Sequence, residues 1–230
     1  MTRAFDLVVL DMAGTTVRDD GLVEQAFAAA DAATGVSGDA GWDDALDYVR
    51  RTMGQSKIDV FTHLAGGDRA LAEQAVDAFE RAFADAVDRG EAEEIEGAGD
   101  TLRALRETGH AVALTTGFSP ATRDAILTAL DWHDAVDAAL APADAGRGRP
   151  APDLVWAAAL RTGAHSASRI VVVGDTASDV EAGRRAGAGL VVGVLTGAHD
   201  RAALEAAGAD VVIDDVTALP PLLHAAGADS

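Results

Sequence analysis

The sequence predicts an α/β protein built on a doubly wound parallel β-sheet, with a helical segment inserted after the first strand. Two observations support this prediction. From residue 97 onward, short apolar runs that end in small or acidic residues alternate with helical segments, as in a parallel sheet covered by helices. Between the first apolar run and residue 97, the patterns are helical, at 21–34, 42–53, 56–65 and 69–89.

Six segments are predicted to be strands because they are mostly continuous Val, Leu and Ile runs rather than alternating ones. Continuous runs are typical of strands that are buried on both faces. The predicted strands are 5–11, 110–116, 135–140, 169–175, 188–195 and 209–214. The helices that go with them are predicted at 100–108, 119–130, 152–163, 176–187, 200–207 and 216–225.

These elements predict two domains. Residues 1–17 and 97–230 form the α/β core, and residues 18–96 form an inserted helical domain that returns to the core through the acidic run 91–99. Ligands of open parallel sheets bind beyond the carboxyl ends of the strands. The segments that directly follow the strands are therefore where a site is expected.

Composition limits the classes of partner. The chain has 230 residues, a net charge of −20 and no cysteine. Such a surface repels nucleic acid and anionic membranes, and disulfides and thiolate metal sites are excluded. An anionic substrate would need a metal ion or focused arginine and backbone N–H groups. Because no apolar run approaches the length of a membrane span, we expect a cytoplasmic protein with no nucleic-acid or membrane partner.

Acidic residues follow two of the predicted strands. Asp11 ends the first strand, with Gly14 and Thr15 after it. A carboxylate there can attack phosphorus, and N–H groups freed by a glycine turn can cradle the phosphoryl oxygens. Asp175 and Asp179 follow the fourth strand, and converging carboxylates without Cys or paired His suit Mg²⁺. The plainer interpretation of any single aspartate here is a helix N-cap, and for Asp175 alone it is the better one, but acidic clusters at two successive strand ends are much harder to explain as caps.

Two further strand ends carry groups that fit an anion. Thr116 and Gly117 follow the second strand, and Arg149 lies in the loop before the helix at 152–163. A hydroxyl and a guanidinium at those places can bind phosphoryl oxygens and offset their charge. A turn hydroxyl and a solvated loop arginine are the plainer alternatives.

Lys57 is the only lysine in the chain, because 17 of the 18 Lys and Arg residues are Arg. A lysine amine can lose its proton when it is desolvated and can then attack a carbonyl, which arginine does not do. Lys57 is therefore a candidate for covalent chemistry. The alternative is one surface lysine that escaped a drift toward arginine.

In this order, "DMAGTT", "LTTGF", "GRPAPD" and "VGDTASDVEAG" resemble the motifs of the haloacid dehalogenase superfamily, over about residues 5–195. The resemblance implies a Rossmann-like core, an α-helical cap domain, an aspartyl-phosphate intermediate and Mg²⁺. It implies that Asp11 is the nucleophile and that the metal ligands are Asp11, the backbone carbonyl of Ala13, Asp175 and Asp179.

Two departures from the superfamily pattern point to one branch of it. Phosphatases of the superfamily carry a general acid two residues after the nucleophile, where this chain has Ala13, and Arg149 stands where a lysine is usual. Proton transfer from such an acid contributes about two to four orders of magnitude, so phosphate ester hydrolysis is disfavoured. Both departures are features of the phosphonatase (phosphonoacetaldehyde hydrolase) branch, whose M-G-x-x-K pattern matches Met53, Gly54 and Lys57.

The resemblance to that branch implies a Schiff base between Lys57 and the carbonyl of phosphonoacetaldehyde or a related 2-oxoalkylphosphonate. The protonated imine accepts the electrons of the C–P bond, so the product leaves as an enamine and needs no acid. Two positions differ from the branch, which has His at Val60 and Tyr at Phe118. A homodimer formed through the cap would also fit the resemblance.

Two other functions remain open. A phosphatase or phosphate-transfer enzyme for a small phosphorylated metabolite would use the same scaffold, and Ala13 is the feature against it. A catalytically silent phosphate-binding protein is allowed by Val60 and Phe118.

Overall fold

A parallel six-stranded sheet forms the centre of the molecule in the computed structural model, which describes residues 4–228. The strands are β1 (Leu7–Asp11), β2 (Ala111–Thr115), β3 (Ala138–Leu140), β4 (Ile170–Gly174), β5 (Leu190–Val194) and β6 (Val211–Ile213). Their order in the sheet is β3-β2-β1-β4-β5-β6, with every pair parallel. The predicted Rossmann-like, doubly wound α/β fold is confirmed.

Helices fill most of the sequence between the strands. They are α1 (Leu22–Thr34), α2 (Trp42–Arg51), α3 (Lys57–Leu64), α4 (Arg69–Asp88), α5 (Ala98–Glu107), α6 (Pro120–Ala129), α7 (Pro142–Ala145), α8 (Asp153–Thr162), α9 (Ala177–Ala186), α10 (Arg201–Ala207) and α11 (Leu219–Ala228). None of these helices, in the part of the chain that the structure describes, is both long and apolar enough to span a bilayer.

The central strand β1 is buried along its whole length because both faces of the sheet are covered. Val8 and Leu10 pack into the core cluster on the side of α5 and α6. Leu7 and Val9 pack into a second cluster on the opposite face, together with α8. Successive side chains of a strand point to opposite faces, and this is why an unbroken apolar run, rather than an alternating one, was the correct strand pattern.

Two elements near the third strand differ from the prediction. β3 starts at Ala138 rather than at 135, because the residues before it form a turn in which the Ala135 N–H donates to the Trp132 carbonyl, 3.0 Å away. The short helix α7 was not predicted. It begins with Pro142 at its first position, where proline has no intrahelical bond to lose, but four residues give no readable period.

Helices α1 to α4 all lie between β1 and α5 in the sequence, as the prediction of a helical insertion requires. The segment in which the chain enters this insertion and the segment in which it leaves lie side by side. Val17 forms bridges with Ala13 and with Glu94, and the Ile95 N–H donates to the Thr16 carbonyl at 2.9 Å. The assignment of residues 18–96 as a separate cap domain stays a prediction.

Strand order reverses between β1 and β4. The chain leaves β1 for β2 on one side, and β4 lies on the other side. Ligands of doubly wound sheets bind in the crevice at such a switch point, beyond the carboxyl ends of the strands. Asp11, Thr116 and Asp175 all lie at this edge, at or directly after the ends of three adjacent strands.

Candidate active site

Three carboxylates meet at the switch point. Asp11 is the last residue of β1, Asp175 follows β4, and Asp179 lies in the first turn of α9. All three are at most 3% exposed, and one oxygen of each lies within 4.8 Å of the other two. Asp175 is thus in the loop and Asp179 on the helix, which is one of the two arrangements that their spacing allowed.

The turn after β1 positions Asp175. The Thr15 hydroxyl donates to Asp175 Oδ1 at 3.0 Å, and the Ala198 N–H donates to Oδ2 at 2.8 Å. Gly14 has φ +82°, and a Cβ atom there would overlap the Asp175 carboxylate, so glycine is required for both reasons. The Gly14 and Thr15 N–H groups donate within the turn, to Val17 and Met12. The predicted contact of these two residues with substrate therefore stays a prediction, and their role in the structure is to hold Asp175.

Asp179 takes part in capping α9, but the N-cap itself is Thr176 and not an aspartate. Its Oδ2 accepts from the Thr176 N–H at 3.1 Å and from the Thr176 hydroxyl at 2.5 Å, which completes a capping box at the start of α9. Capping uses one carboxylate oxygen. The other, Oδ1, faces Arg149 and the cluster.

Arg149 is the only cation of the described residues that forms ion pairs with this cluster. It is 5% exposed, and its Nη1 donates to Asp11 Oδ1 at 2.5 Å and also to Asp179 Oδ1. Its Nε has no hydrogen-bond partner among the described residues. Arg149 is therefore no solvated loop residue, and a buried donor without a partner leaves capacity for a further acceptor.

One guanidinium does not neutralise three buried carboxylates. Burial raises the pKa of Asp11 well above its usual value, and the charges of Asp179 and Asp175 add to the rise although Arg149 opposes it. Burial, followed by the charge of Asp179, raises the pKa of Asp175 to about 7. The remaining negative charge and the all-oxygen donor set fit a hard divalent cation. The residues present are thus compatible with the metal that the sequence predicts.

Cation binding at this cluster should release protons. Because burial raises the pKa of Asp175 to about 7, we expect a divalent cation such as Mg²⁺ to displace a fraction of a proton from this group at pH 7 and less at pH 9. Affinity for Mg²⁺ should accordingly rise as the pH rises through 7. Titration calorimetry in two buffers of different ionisation enthalpy measures the protons released. Equal binding enthalpies in both buffers at pH 7 would contradict the prediction, and the same titration at pH 9, where Asp175 should release fewer protons, is the control.

Lys57 is buried rather than on the surface. It is 6% exposed and is the first residue of α3. Its backbone N–H donates to the Gly117 carbonyl oxygen, 3.4 Å away. A Cβ atom on Gly117 would lie 2.5 Å from the Gln55 carbonyl oxygen. The absence of a side chain at Gly117 is what allows the start of α3 to reach the carboxyl edge of the sheet.

Three phenylalanine rings surround the Lys57 amine. Its Nζ lies 5.5 Å from the ring centre of Phe27, 5.6 Å from that of Phe79 and 5.1 Å from that of Phe118. The rings come from α1, α4 and the loop after β2. Phe118, one of the two departures from the phosphonatase pattern, is therefore part of the amine's surroundings. The other departure, Val60, is 2% exposed and packs in the core of the helical insertion.

The environment of Lys57 makes its amine easier to deprotonate than an exposed lysine. Burial, together with the charge of Arg149, lowers the pKa of Lys57 to about 8, although Asp11, Asp19 and Glu80 oppose the shift. An unperturbed lysine has a pKa near 10.4. At pH 7 to 8 a useful share of Lys57 is therefore unprotonated and nucleophilic.

One pocket joins the amine to the acidic cluster. Of the residues singled out in the sequence, those lining it are Asp11, Ala13, Met53, Gly54, Lys57, Thr116, Gly117, Phe118, Arg149 and Asp175. The structure thus brings together residues from five distant stretches of the chain. Three further lining residues were missed, namely Asp19, Val23 and Thr176. Nothing in the spacing of Asp19 or Val23 marks them, and Thr176 could have been noticed only as a cap within "GDTASD".

Comparisons with known proteins show the family and several relatives of this chain. A family model described as haloacid dehalogenase-like hydrolase matches residues 5–187. A phosphonoacetaldehyde hydrolase of Bacillus cereus (strain G9842) is 30% identical over 218 residues, which are 85% of this chain and 77% of the relative. With the enzyme of strain AH187 the match is shorter, 30% identity over 107 residues, and it covers 46% of this chain and 40% of that relative.

Solved structures share the whole fold. A hydrolase from Pseudomonas syringae superposes with a TM-score of 0.82 and 25% identity, over 94% of this chain and 97% of the other. A phosphonoacetaldehyde hydrolase-like protein from Oleispira antarctica has a TM-score of 0.77 at 21% identity, over 99% and 95% of the two chains. At that identity, the second likeness concerns the fold alone.

Proposed function

The chain belongs to the haloacid dehalogenase-like hydrolase family, and from that premise we propose that it cleaves the C–P bond of phosphonoacetaldehyde or a related 2-oxoalkylphosphonate. Lys57 forms a Schiff base with the carbonyl, and Asp11 receives the phosphoryl group. The observation that carries this proposal is the buried Lys57 amine, in an aromatic surround and with its pKa lowered to about 8, in the same pocket as Asp11.

The amine side of the pocket explains why a lysine is needed. The neutral Lys57 nitrogen attacks the carbonyl carbon, and after uptake of one proton the carbinolamine loses water to give a protonated imine. Breaking a C–P bond directly would leave a carbanion. With the imine in place, the electrons of the C–P bond pass into the adjacent C–C bond, and the imine nitrogen becomes the neutral nitrogen of an enamine.

The acidic side of the pocket accepts the phosphoryl group. An Asp11 carboxylate oxygen attacks phosphorus as the C–P bond breaks, and water then hydrolyses the aspartyl phosphate. The phosphoryl oxygens would be bound by Arg149, which pairs with Asp11, and by Thr116 and Gly117, which line the same pocket at the end of β2. Protonation of the enamine carbon and hydrolysis of the imine return the aldehyde and free Lys57. The net reaction converts the phosphonate and water into the aldehyde and phosphate.

Mg²⁺ is the cation that we propose for the cluster. It would be held by Asp11, the Ala13 carbonyl, Asp175 and Asp179. Its positive charge would reduce the repulsion between the phosphonate and the three carboxylates. The Ala13 side chain fits the same scheme, because an enamine leaves without the proton that an alkoxide needs. A homodimer formed through the helical insertion stays a prediction.

The single lysine makes a trapping experiment unusually clear. The protein is incubated with phosphonoacetaldehyde, Mg²⁺ and cyanoborohydride, and phosphate is measured in a parallel sample without the reductant. A protease that cleaves after lysine cuts this chain only after Lys57, and an alkylated Lys57 resists it. We expect loss of that cut, an adduct mapped to Lys57, and phosphate release.

The other outcomes separate the alternatives. Phosphate release without an adduct would contradict the imine and favour a phosphatase-type reaction. Neither adduct nor phosphate would exclude phosphonoacetaldehyde as the substrate. The mass of the adduct shows when the imine was reduced. An ethyl group on Lys57 indicates reduction after C–P cleavage, and a phosphonoethyl group indicates reduction before it.

A further inference from the structure

We propose that Asp19 is the proton donor and acceptor of the Lys57 imine, an inference that rests on the proposed function. Asp19 lies between β1 and α1 and lines the pocket that Lys57 and Asp11 share. It is half-buried. No motif marks it, and the Schiff-base scheme so far leaves its proton transfers unassigned.

The orientation of Asp19 is fixed by the helix that follows it. Its Oδ1 accepts from the Val23 N–H at 3.0 Å, in the first turn of α1. This is the only hydrogen bond of the Asp19 carboxyl to another residue described in the structure, so Oδ2 is free to exchange a proton with a bound molecule. Val23 also lines the pocket. One oxygen therefore anchors the side chain and the other is available for chemistry.

Burial brings the proton affinities of Asp19 and Lys57 closer together. Burial raises the pKa of Asp19, with Glu24 and Asp20 acting in the same direction and Lys57 opposing. Lys57, with its pKa lowered to about 8, faces Arg149, Asp11, Asp19 and Glu80. Each group thus stabilises the charged form of the other. Burial outweighs this mutual stabilisation in both groups, and it therefore reduces the free-energy gap between a carboxylic acid with an amine and a carboxylate with an ammonium.

Other groups near the amine are already engaged or cannot carry a proton. Asp11 pairs with Arg149, and Asp175 accepts from Thr15 and Ala198. Glu80 accepts from Ser119 and from Thr122. Val60 and Phe118 are apolar. Among the carboxyl groups that line the pocket, Asp19 is the one outside the phosphoryl-binding cluster.

Imine formation requires a proton at a definite atom. After the Lys57 nitrogen attacks the carbonyl carbon and its proton moves to the oxygen, the carbinolamine hydroxyl must leave as water. Asp19, as a carboxylic acid, donates its proton to that hydroxyl as the C–O bond breaks and the nitrogen lone pair forms the C=N bond. When the imine is hydrolysed at the end, the Asp19 carboxylate takes a proton from the attacking water, and the cycle closes.

The experiment isolates this step from phosphoryl transfer. Acetaldehyde is used as the probe, and the rate of cyanoborohydride adduct formation on Lys57 is measured between pH 5 and 9. In Asp19→Asn, the amide oxygen can still accept from the Val23 N–H, so α1 keeps its cap. We expect about 10²-fold slower trapping, partial restoration by added formate, and restoration by Asp19→Glu. Asp20→Asn, at the exposed neighbouring position, is the matched control and should trap at the wild-type rate.

The pH profile distinguishes a proton-transfer role from a capping role. In the wild type, the active form holds one proton on the Asp19–Lys57 pair. The trapping rate should therefore decrease when the pH is lowered below the pKa of Asp19 and when it is raised above about 8. In Asp19→Asn, the acid limb is set by the Lys57 amine alone, and no decline follows at high pH.

Two results would overturn this proposal alone, and a third would overturn it together with the proposed function. Wild-type trapping rates in Asp19→Asn, with the adduct still on Lys57, would exclude a role for Asp19 and leave the proposed function intact. A slow Asp19→Asn that keeps the wild-type bell-shaped profile and ignores formate would mean that Asp19 only supports α1. If wild-type protein forms no Lys57 adduct with either phosphonoacetaldehyde or acetaldehyde, the proposed function fails, and this inference fails with it.

Discussion

Replacing Lys57 with arginine is expected to reduce phosphonoacetaldehyde turnover by about four orders of magnitude or more, as removal of the nucleophile does in other enzymes with covalent intermediates. A guanidinium keeps the positive charge but stays protonated and forms no imine. With no imine, the C–P electrons have no acceptor. Phosphate release under saturating Mg²⁺ measures the loss, and inorganic phosphate binding should be retained, because the acidic cluster and Arg149 are untouched.

The control for this variant moves the lysine rather than deleting it. In Lys57→Arg combined with Arg51→Lys, the amine lies at the exposed end of α2, outside the aromatic surround. A lysine there should have an ordinary pKa and should form no adduct at pH 7.5 in the time that modifies the wild type. Turnover that survives Lys57→Arg would refute the imine mechanism. A lysine at position 51 that is trapped as fast as Lys57 would mean that burial is not what makes the amine reactive.

The acidic half of the site could be predicted from the sequence because local patterns determine it. Val, Leu and Ile runs mark buried strands, and the carboxyl ends of parallel strands meet at one edge. Asp11 and Asp175 come at the ends of β1 and β4, which are hydrogen-bonded neighbours. Once the strands are assigned, residues 164 positions apart must be close, without any knowledge of side-chain packing.

The surroundings of Lys57 depend on tertiary packing and could not be predicted in the same way. Five of the chain's six phenylalanines, at 27, 61, 79, 83 and 118, form one aromatic cluster. They come from three helices and a loop of the sheet, and no period in the sequence links them. Lys57 is buried against this cluster, and that burial is the main reason for its lowered pKa.

Sequence neighbours are also a poor guide to the charges that act on Lys57. Asp59 is two residues away, yet the charges that shift the amine's pKa are those of Arg149, Asp11, Asp19 and Glu80. Lys57 begins α3, and residues two apart on a helix do not face each other. Asp19 was missed because nothing in its spacing marks it, and its hydrogen bond from the Val23 N–H in the first turn of α1 is seen only in the structure.

Asp11→Asn should divide the reaction into two halves. Without a carboxylate nucleophile, no aspartyl phosphate forms, and phosphate release should fall to background, a loss of about four orders of magnitude or more. The imine does not depend on that carboxylate. The negative charge of Asp11 raises the pKa of Lys57, so removing it should lower that pKa further and make Lys57 trapping with acetaldehyde at pH 7 as fast as in the wild type or faster.

The mass of the trapped adduct tests this division most directly. With phosphonoacetaldehyde, Lys57 of Asp11→Asn should carry only a phosphonoethyl group, because the imine forms but the C–P bond stays intact. Wild-type protein should yield both phosphonoethyl and ethyl adducts. Asp6→Asn, the same charge change before the opposite end of β1, should behave as the wild type. An ethyl adduct in Asp11→Asn would mean that C–P cleavage does not need the Asp11 carboxylate. The phosphoryl group would then be transferred directly to water, and the enzyme would be a Schiff-base hydrolase that forms no aspartyl phosphate.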